Sequence, residues 1–543
     1  MSRSLLVYFV KSGSGLFSKV KIRSLAVNNQ VGSLDSFRVF TCNVNPTLSW
    51  CNRGPASVHS WIPVSGQAAG GFLYTSLSLE LNSVCHVELD CRNESQLLQA
   101  TAQLSIACSS EHDQGVVCLP LVGSGTSQTD ELYIYYLFAH SYKTPDTKTP
   151  APQSVHLTPV RVNANGFVDL STSSWPTSTP ILIGHAGAGA KHAHQGHGPF
   201  WPDNTICAFR RAEQLGLPMV ECDATVTRGY QTVLLHHNFT VRLCAESRSG
   251  NDPCERTFTL DHTPDPPVDE KTTNLVISYS LSELRNLLGR GPCSSDGEFD
   301  KADCVPTHPA PLTMSDPLPD ASGIQGQPLP ELAASFRQTS TKLGFNVELK
   351  YPRETLLGKI ARAAFLKQPI NNQLAGPHSY FASINKFCDK ILDTIWKHAG
   401  SRVVILSSFN ADVCAVLRLK QTHLPVLFIT RGGVPSNTEP PDMFHVDLRH
   451  QNLGVACSWA HVMDLAGVVT MGTLFGSNAD EMAVSPEDSM QFSLDLAAKQ
   501  LACFVYGLGV SEQKFLEKAT QFGLTGIIID HVDQYMQEHN MAK

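Results

Sequence analysis

The chain has 543 residues, 42% of them hydrophobic and 17% charged, enough for two or three domains with a sizeable core. Its formal net charge of −8 argues against a nucleic-acid partner held through a basic field. No apolar run reaches the roughly 18 residues of a membrane span, and the 16 cysteines include no Cys-x-x-Cys pair, so a cytoplasmic protein with reduced thiols is expected.

The first apolar stretch, Leu5 to Val10, is shorter than a signal peptide's core of about 7–15 residues and reads as a strand. Leu73, Thr75, Leu77, Leu79 and Leu81 alternate onto one face, and residues 132–140 (LYIYYLFAH) are rich in aromatic and β-branched side chains. Gly- and Asn-rich turns between such runs predict a small all-β, sandwich-like domain over residues 1–145. Residues 146–180 read as a linker, with a short strand near Val160.

From residue 181 apolar strands alternate with helices. Strands are predicted at 181–184, 219–226, 232–236, 345–350, 403–408, 425–430, 453–458, 501–506 and 526–530. A helix within 203–216 starts at Asp203 or Asn204 and stops at Gly216, and Ser280 with Glu283 forms the capping box of another. Repeated strand–helix units with buried strands predict an α/β fold, a TIM-type (β/α)8 barrel over residues 181–540. Residues 244–274 and 290–328, rich in Pro, Asp, Ser and Thr, read as loop insertions.

Working residues of such a barrel lie at the C-terminal ends of its strands. Four predicted strand ends carry polar residues that packing would not choose: Gly184-His185, "VECDATV" (220–226), "VLLHHN" (233–238) and "NVELK" (346–350). Alternation puts Glu221 and Asp223 on one face, with Cys222 on the other, and Glu348 with Lys350 likewise. Three carboxylates in one mouth call for a hard divalent cation with oxygen ligands, Mg²⁺ or Ca²⁺. Two histidines beside it suit general acid and general base, and a lysine suits a phosphoryl group. Of the neighbours His236 and His237, only one can face the mouth. His192, His194 and His197 have irregular spacing and read as a solvated loop rather than a second metal site.

In order, "GHAGAG", "PDNT", "VECDATV", "HHNFTV" and "FNVELK" resemble the motifs of the glycerophosphodiester phosphodiesterase family. "RVVILSSFNADV" (402–413) and "GLTGIIIDH" (523–531) agree with its later strands. Within the family the chain is similar to cytosolic glycerophosphocholine phosphodiesterases, partly through residues 115–142 and 418–430. The resemblance implies metal-dependent hydrolysis of a small-molecule glycerophosphodiester, with glycerophosphocholine cleaved to glycerol 3-phosphate and choline. It implies metal ligands at Glu221, Asp223 and Glu348, an acid–base pair at His185 and His237, and a phosphate contact at Lys350. It selects His237 over His236, and it explains the glycines after His185 as keeping the phosphodiester's approach clear. Those relatives carry a starch-binding module, and none is recognisable here.

The departures are specific. Ala186 replaces the family's arginine, Asp203 a glutamate, Asn238 the aspartate after the second histidine, and Tyr506 stands where an aromatic, often Trp, is usual. The alternative they leave open is a weakened or inactive barrel that binds a phosphodiester or metal as a scaffold or regulator.

Overall fold

A computed structural model describes the strands between residues 3 and 140, residues 141–146, 150–157 and 159–160, and then 180–188, 201, 203–237, 243–246, 257–260, 275–288, 329–351, 383–434, 447–477, 485–507 and 509–538. His192, His194, His197, Asn238 and the second predicted insertion lie outside the described residues, as do Leu77, Leu79 and Leu81. Within the first insertion, Leu243–Glu246 pairs antiparallel with Thr257–Leu260.

Eight parallel strands close into a barrel: β1 (Ile181–Gly184), β2 (Met219–Val226), β3 (Gly344–Leu349), β4 (Val404–Ser408), β5 (Val426–Ile429), β6 (Gly467–Met471), β7 (Ala502–Tyr506) and β8 (Gly526–Ile529). Each pairs with its successor, and β8 returns to β1 from Ile181↔Gly526 to Gly184↔Ile529. These strands are covered on both sides, so they read as continuous apolar runs. Ile183, Met219, Ile405, Leu427, Val469, Phe504 and Ile528 pack together in one cluster inside the barrel. Their strand neighbours Val220, Phe345, Leu406, Phe428, Val468 and Ile527 belong to the larger core that includes the surrounding helices.

One predicted strand is corrected, and another is present with a different pairing. Residues 453–458 belong to a helix, Leu453–Val462, whose cap Asn452 accepts from the Val455 N–H at 2.9 Å. The helix is buried nearly all round, so its sequence lacks the periodicity that separates helix from buried strand. The strand of that repeat is β6. Near the predicted strand 232–236, Val233–Leu235 pairs antiparallel with β2 and lies outside the closed barrel. The helix predicted within 203–216 spans Ile206–Gln214 and is capped by Thr205, whose Oγ1 accepts from the Ala208 N–H, rather than by Asp203 or Asn204. The capping box is present: the Glu283 N–H donates to Ser280 Oγ, and the Ser280 N–H donates to Glu283 Oε2.

Within the predicted linker, residues 150–157 and 159–160 lie against the barrel. The Gln153 N–H donates to Arg402 O at 3.0 Å and the Val160 N–H to Leu501 O at 3.0 Å, just ahead of β4 and β7. Leu157, 8% exposed, joins the cluster inside the barrel. The segment therefore crosses the N-terminal end of the barrel and closes its floor.

The strands of residues 3–140 form two antiparallel sheets. One runs Phe37–Asn43, Ala69–Thr75, Arg3–Ser12, Thr129–His140, Gln114–Val122. The other runs Gln30–Val31, Lys19–Val27, Val84–Arg92, Gln99–Ala107, with Ile62–Pro63 beside Lys19–Val27. Thr129–His140 docks on the barrel helices: Tyr135 Oη donates to Asp412 Oδ2 at 3.0 Å, and Asn385 Nδ2 to Phe138 O at 2.8 Å. Among the described residues no helix is long and apolar enough to cross a membrane.

Candidate active site

The site begins with a tight turn. A Cβ on Gly184 would lie 1.9 Å from the Gly187 carbonyl oxygen, and Gly187 has φ +103°. Only glycine fits these positions. The chain reverses at once after β1, which leaves His185 at the strand end. Gly184 and Gly187 thus serve the turn. Ala186 is enclosed at 1% exposure with φ +46°, and its N–H donates to Glu221 Oε2 at 2.9 Å.

Glu221 and Asp223 both point into the barrel from β2, 2% and 1% exposed, while Cys222 packs in the outer core. The β2–β3 register sets Asp223 beside Glu348 and Glu221 beside Asn346. Lys350 follows β3, and its Nζ lies 3.1 Å from Asp223 Oδ1 and 2.5 Å from Glu348 Oε1. His237 Nδ1 lies 3.0 Å from Asp223 Oδ2, whereas His236 is buried at 6% exposure. His185 Nδ1 lies 2.8 Å from Asp530 Oδ1, and its Nε2 lies 3.9 Å from Glu221 Oε2. All six predicted site residues therefore meet at one end of the barrel.

Four residues not among the predicted site residues also bear on the site. Asn204, 4% exposed with φ +58°, donates through Nδ2 to Asp223 Oδ2 at 2.8 Å and accepts the Asp223 N–H at 2.9 Å. Asp530 sits two residues after Ile528, on the same inward face, so strand alternation was the signal for it. Phe409 lies 5.7 Å from Lys350 Nζ and meets Tyr506 edge to face at 6.2 Å. Asn346 carried no signal beyond being polar in an apolar strand.

Electrostatics divide the carboxylates. Burial opposes ionisation of Asp223, yet Lys350 and His237 hold its pKa well below the ordinary value. Burial and the Asp223 charge push Glu221 up to about 8. Glu348 is also raised, chiefly by burial, with Lys350 opposing. Burial would lower His185, but Asp530 and then Glu221 raise it to about 10. Asp223 and Glu348 likewise overcome burial and raise Lys350.

These residues fit a hard cation. One oxygen of each carboxylate, Glu221 Oε1, Asp223 Oδ1 and Glu348 Oε1, is buried; among the described residues the first has no hydrogen-bond partner and the other two meet Lys350. Ligand oxygens of the three residues lie within 4.8 Å of one another. Lys350 touches two of these oxygens at ion-pair distance, so the cluster draws positive charge. An all-oxygen, acidic donor set selects Mg²⁺ or Ca²⁺ over softer metals.

Over 369 residues the chain is 26% identical to a glycerophosphocholine phosphodiesterase of Rattus norvegicus, a match that covers 67% of this chain and 45% of that one. A glycerophosphocholine phosphodiesterase of Schizosaccharomyces pombe is 25% identical over 377 residues, covering 67% of this chain and 28% of its own length. The chain thus spans about half the length of the first of these relatives, or less. Among solved structures, an Oleispira antarctica phosphodiesterase in complex with the product sn-glycerol-3-phosphate aligns at 15% identity with a TM-score of 0.36, covering 67% of this chain and 97% of that one. The Glycerophosphoryl diester phosphodiesterase family matches residues 194–534, which is more than half of the sequence and nearly all of the barrel just described. With its ordered motifs on one barrel end, the chain belongs to the glycerophosphoryl diester phosphodiesterase family.

Proposed function

We propose that the protein hydrolyses glycerophosphodiesters, with glycerophosphocholine cleaved to glycerol 3-phosphate and choline, at a site that uses one Mg²⁺ or Ca²⁺ ion. The observation that carries this reading is the meeting of Glu221, Asp223, Glu348 and Lys350 between two histidines, each with Nδ1 on a carboxylate. The names of the relatives support the choice of substrate. A water-soluble substrate goes with a cytoplasmic location.

Glu221, Asp223 and Glu348 would hold the cation, which when bound supplies charge neutralisation at the phosphoryl oxygens and a more acidic nucleophile. Lys350 Nζ binds a non-bridging phosphoryl oxygen. Asp530 and Asp223 take up the Nδ1 sides of His185 and His237, so each histidine offers Nε2 to the substrate. The substrate's own 2-hydroxyl or a water attacks phosphorus. One histidine accepts that proton as the new P–O bond forms, and the other protonates the choline oxygen as its P–O bond breaks. Where the 2-hydroxyl attacks, water then opens the resulting cyclic phosphate with the two histidines exchanging roles, so one water is consumed overall on either route.

Ala186 favours a second reading, a barrel that binds its phosphodiester or cation with little turnover, because the family's arginine charge is missing. The test is to incubate the full chain with glycerophosphocholine and glycerophosphoinositol and identify the products by mass. Glycerol 3-phosphate with choline, lost in Glu348→Gln, supports the first reading. Saturable binding without product supports the second.

A further inference from the structure

We propose that Asn346 is a positioning residue of the cation site, acting through a water held beneath the carboxylates. This rests on reading Glu221, Asp223 and Glu348 as the cation's ligands. Asn346 lies on β3, two residues before Glu348 and on the same inward face, with Glu221 of β2 and Ile405 of β4 as its neighbours in register. It is 1% exposed, and neither its Nδ2 nor its Oδ1 has a hydrogen-bond partner within the described protein.

Packing does not account for an amide there. Its inward neighbours include Met219 and Ile405, and a leucine would continue that apolar cluster. A buried amide without partners is unfavourable, so an asparagine in this layer signals a polar guest. On the adjacent strands Glu221 Oε1 and Ser407 Oγ are likewise buried without hydrogen-bond partners among the described residues; Ser407, on β4, is paired with Glu348 and 0% exposed. Asn346 and Glu221 stand side by side yet make no direct hydrogen bond.

A water between them meets the requirement of two to four polar partners. It accepts from Asn346 Nδ2, donates to Glu221 Oε1, and has Asn346 Oδ1 and Ser407 Oγ as further partners. Glu221 Oε2 is already fixed by the Ala186 N–H. With Oε2 held by Ala186 and one lone pair of Oε1 taken by the water, the other lone pair of Oε1 keeps its aim toward the cation. Hydrogen bonds that orient ligands in this way typically change metal affinity by about 10–100-fold when removed.

The test is calorimetric titration of the full-length protein with MgCl₂ and with CaCl₂, alongside metal-free thermal melts. Asn346→Leu removes the amide at similar volume, and Asn346→Ser keeps a hydroxyl and leaves room for water. Expected are a cation affinity about tenfold or more weaker in Asn346→Leu, a metal-free Tm equal to or above wild type, and an affinity within about threefold of wild type in Asn346→Ser. A purely structural asparagine would give the reverse in Asn346→Leu: a lower metal-free Tm and an unchanged affinity. Equal affinities in wild type and Asn346→Leu overturn the role of Asn346 alone. If Asn346→Leu is poorly folded, an affinity in Asn346→Ser that falls as far as its stability also overturns it. A wild type that binds neither ion overturns the cation site and this role together.

Discussion

Asn204 holds Asp223 at two points: it accepts the Asp223 backbone N–H at 2.9 Å and donates to Asp223 Oδ2 at 2.8 Å. His237 shares that Oδ2, which leaves Oδ1 for Lys350 and the proposed cation. The Asn204 backbone is left-handed, and its N–H donates to Ala186 O, so one residue ties the β1 turn to the β2 carboxylate. Asn204→Ala should therefore weaken Mg²⁺ binding and lower kcat by about 10–100-fold, with KM less affected. Titration and steady-state kinetics on the variant check this. Unchanged cation affinity would count against the clamp.

Cation binding should release a proton. Glu221 has a pKa of about 8, so at pH 7 it is mostly protonated before the ion arrives. The folded chain binds a proton that the unfolded chain gives up near 4.5, so this group's contribution to stability falls as pH rises from about 4.5 to 8. Calorimetry in two buffers of different ionisation enthalpy should report close to one proton per ion at pH 7 and close to none at pH 9.5. Affinity should rise with pH up to about 8 and then level. A flat affinity from pH 6 to 9 would contradict this.

Ala186→Arg should raise kcat/KM on glycerophosphocholine by about tenfold or more, because a fixed guanidinium beside the phosphoryl oxygens stabilises the transition state, and removing one such donor typically costs about 10²–10³ in rate. Ala186 is enclosed at 1% exposure, so the larger side chain should also lower Tm. Kinetics and melts on the two forms give both numbers. A wild type that is already fast and does not change would assign the arginine's task to another residue.

Leu157→Asp should destabilise the protein by about 2–4 kcal/mol, because it places a charge among Ile181, Met219, Ile405 and Phe504 at the barrel floor. Urea midpoints measure the loss. A midpoint equal to wild type would mean that Leu157 does not hold the barrel floor.

Much of the barrel was legible because its strands are apolar runs of four to eight residues and its working residues alternate out of them. Glu221, Asp223 and Glu348 stood out as charges in buried strands, and the structure brings them together. Leu453–Val462 was misread because a helix buried on nearly every side has no polar face to show its period. Leu157 was missed because apolar residues are scattered singly through this proline-rich stretch, and its burial depends on strands far along the chain such as those of Ile405 and Phe504. Asn204 looked like a helix cap because a cap and a carboxylate clamp ask for the same short polar side chain.

The central claim, that a cation held by Glu221, Asp223 and Glu348 drives phosphodiester hydrolysis, is tested most directly by choline release from glycerophosphocholine before and after chelation. The full-length protein should lose turnover after exhaustive EDTA treatment and dialysis, and recover it on addition of Mg²⁺ or Ca²⁺. Asp223→Ala and Glu348→Ala should stay inactive under both conditions. Turnover by wild type that survives complete removal of divalent cations would contradict the account.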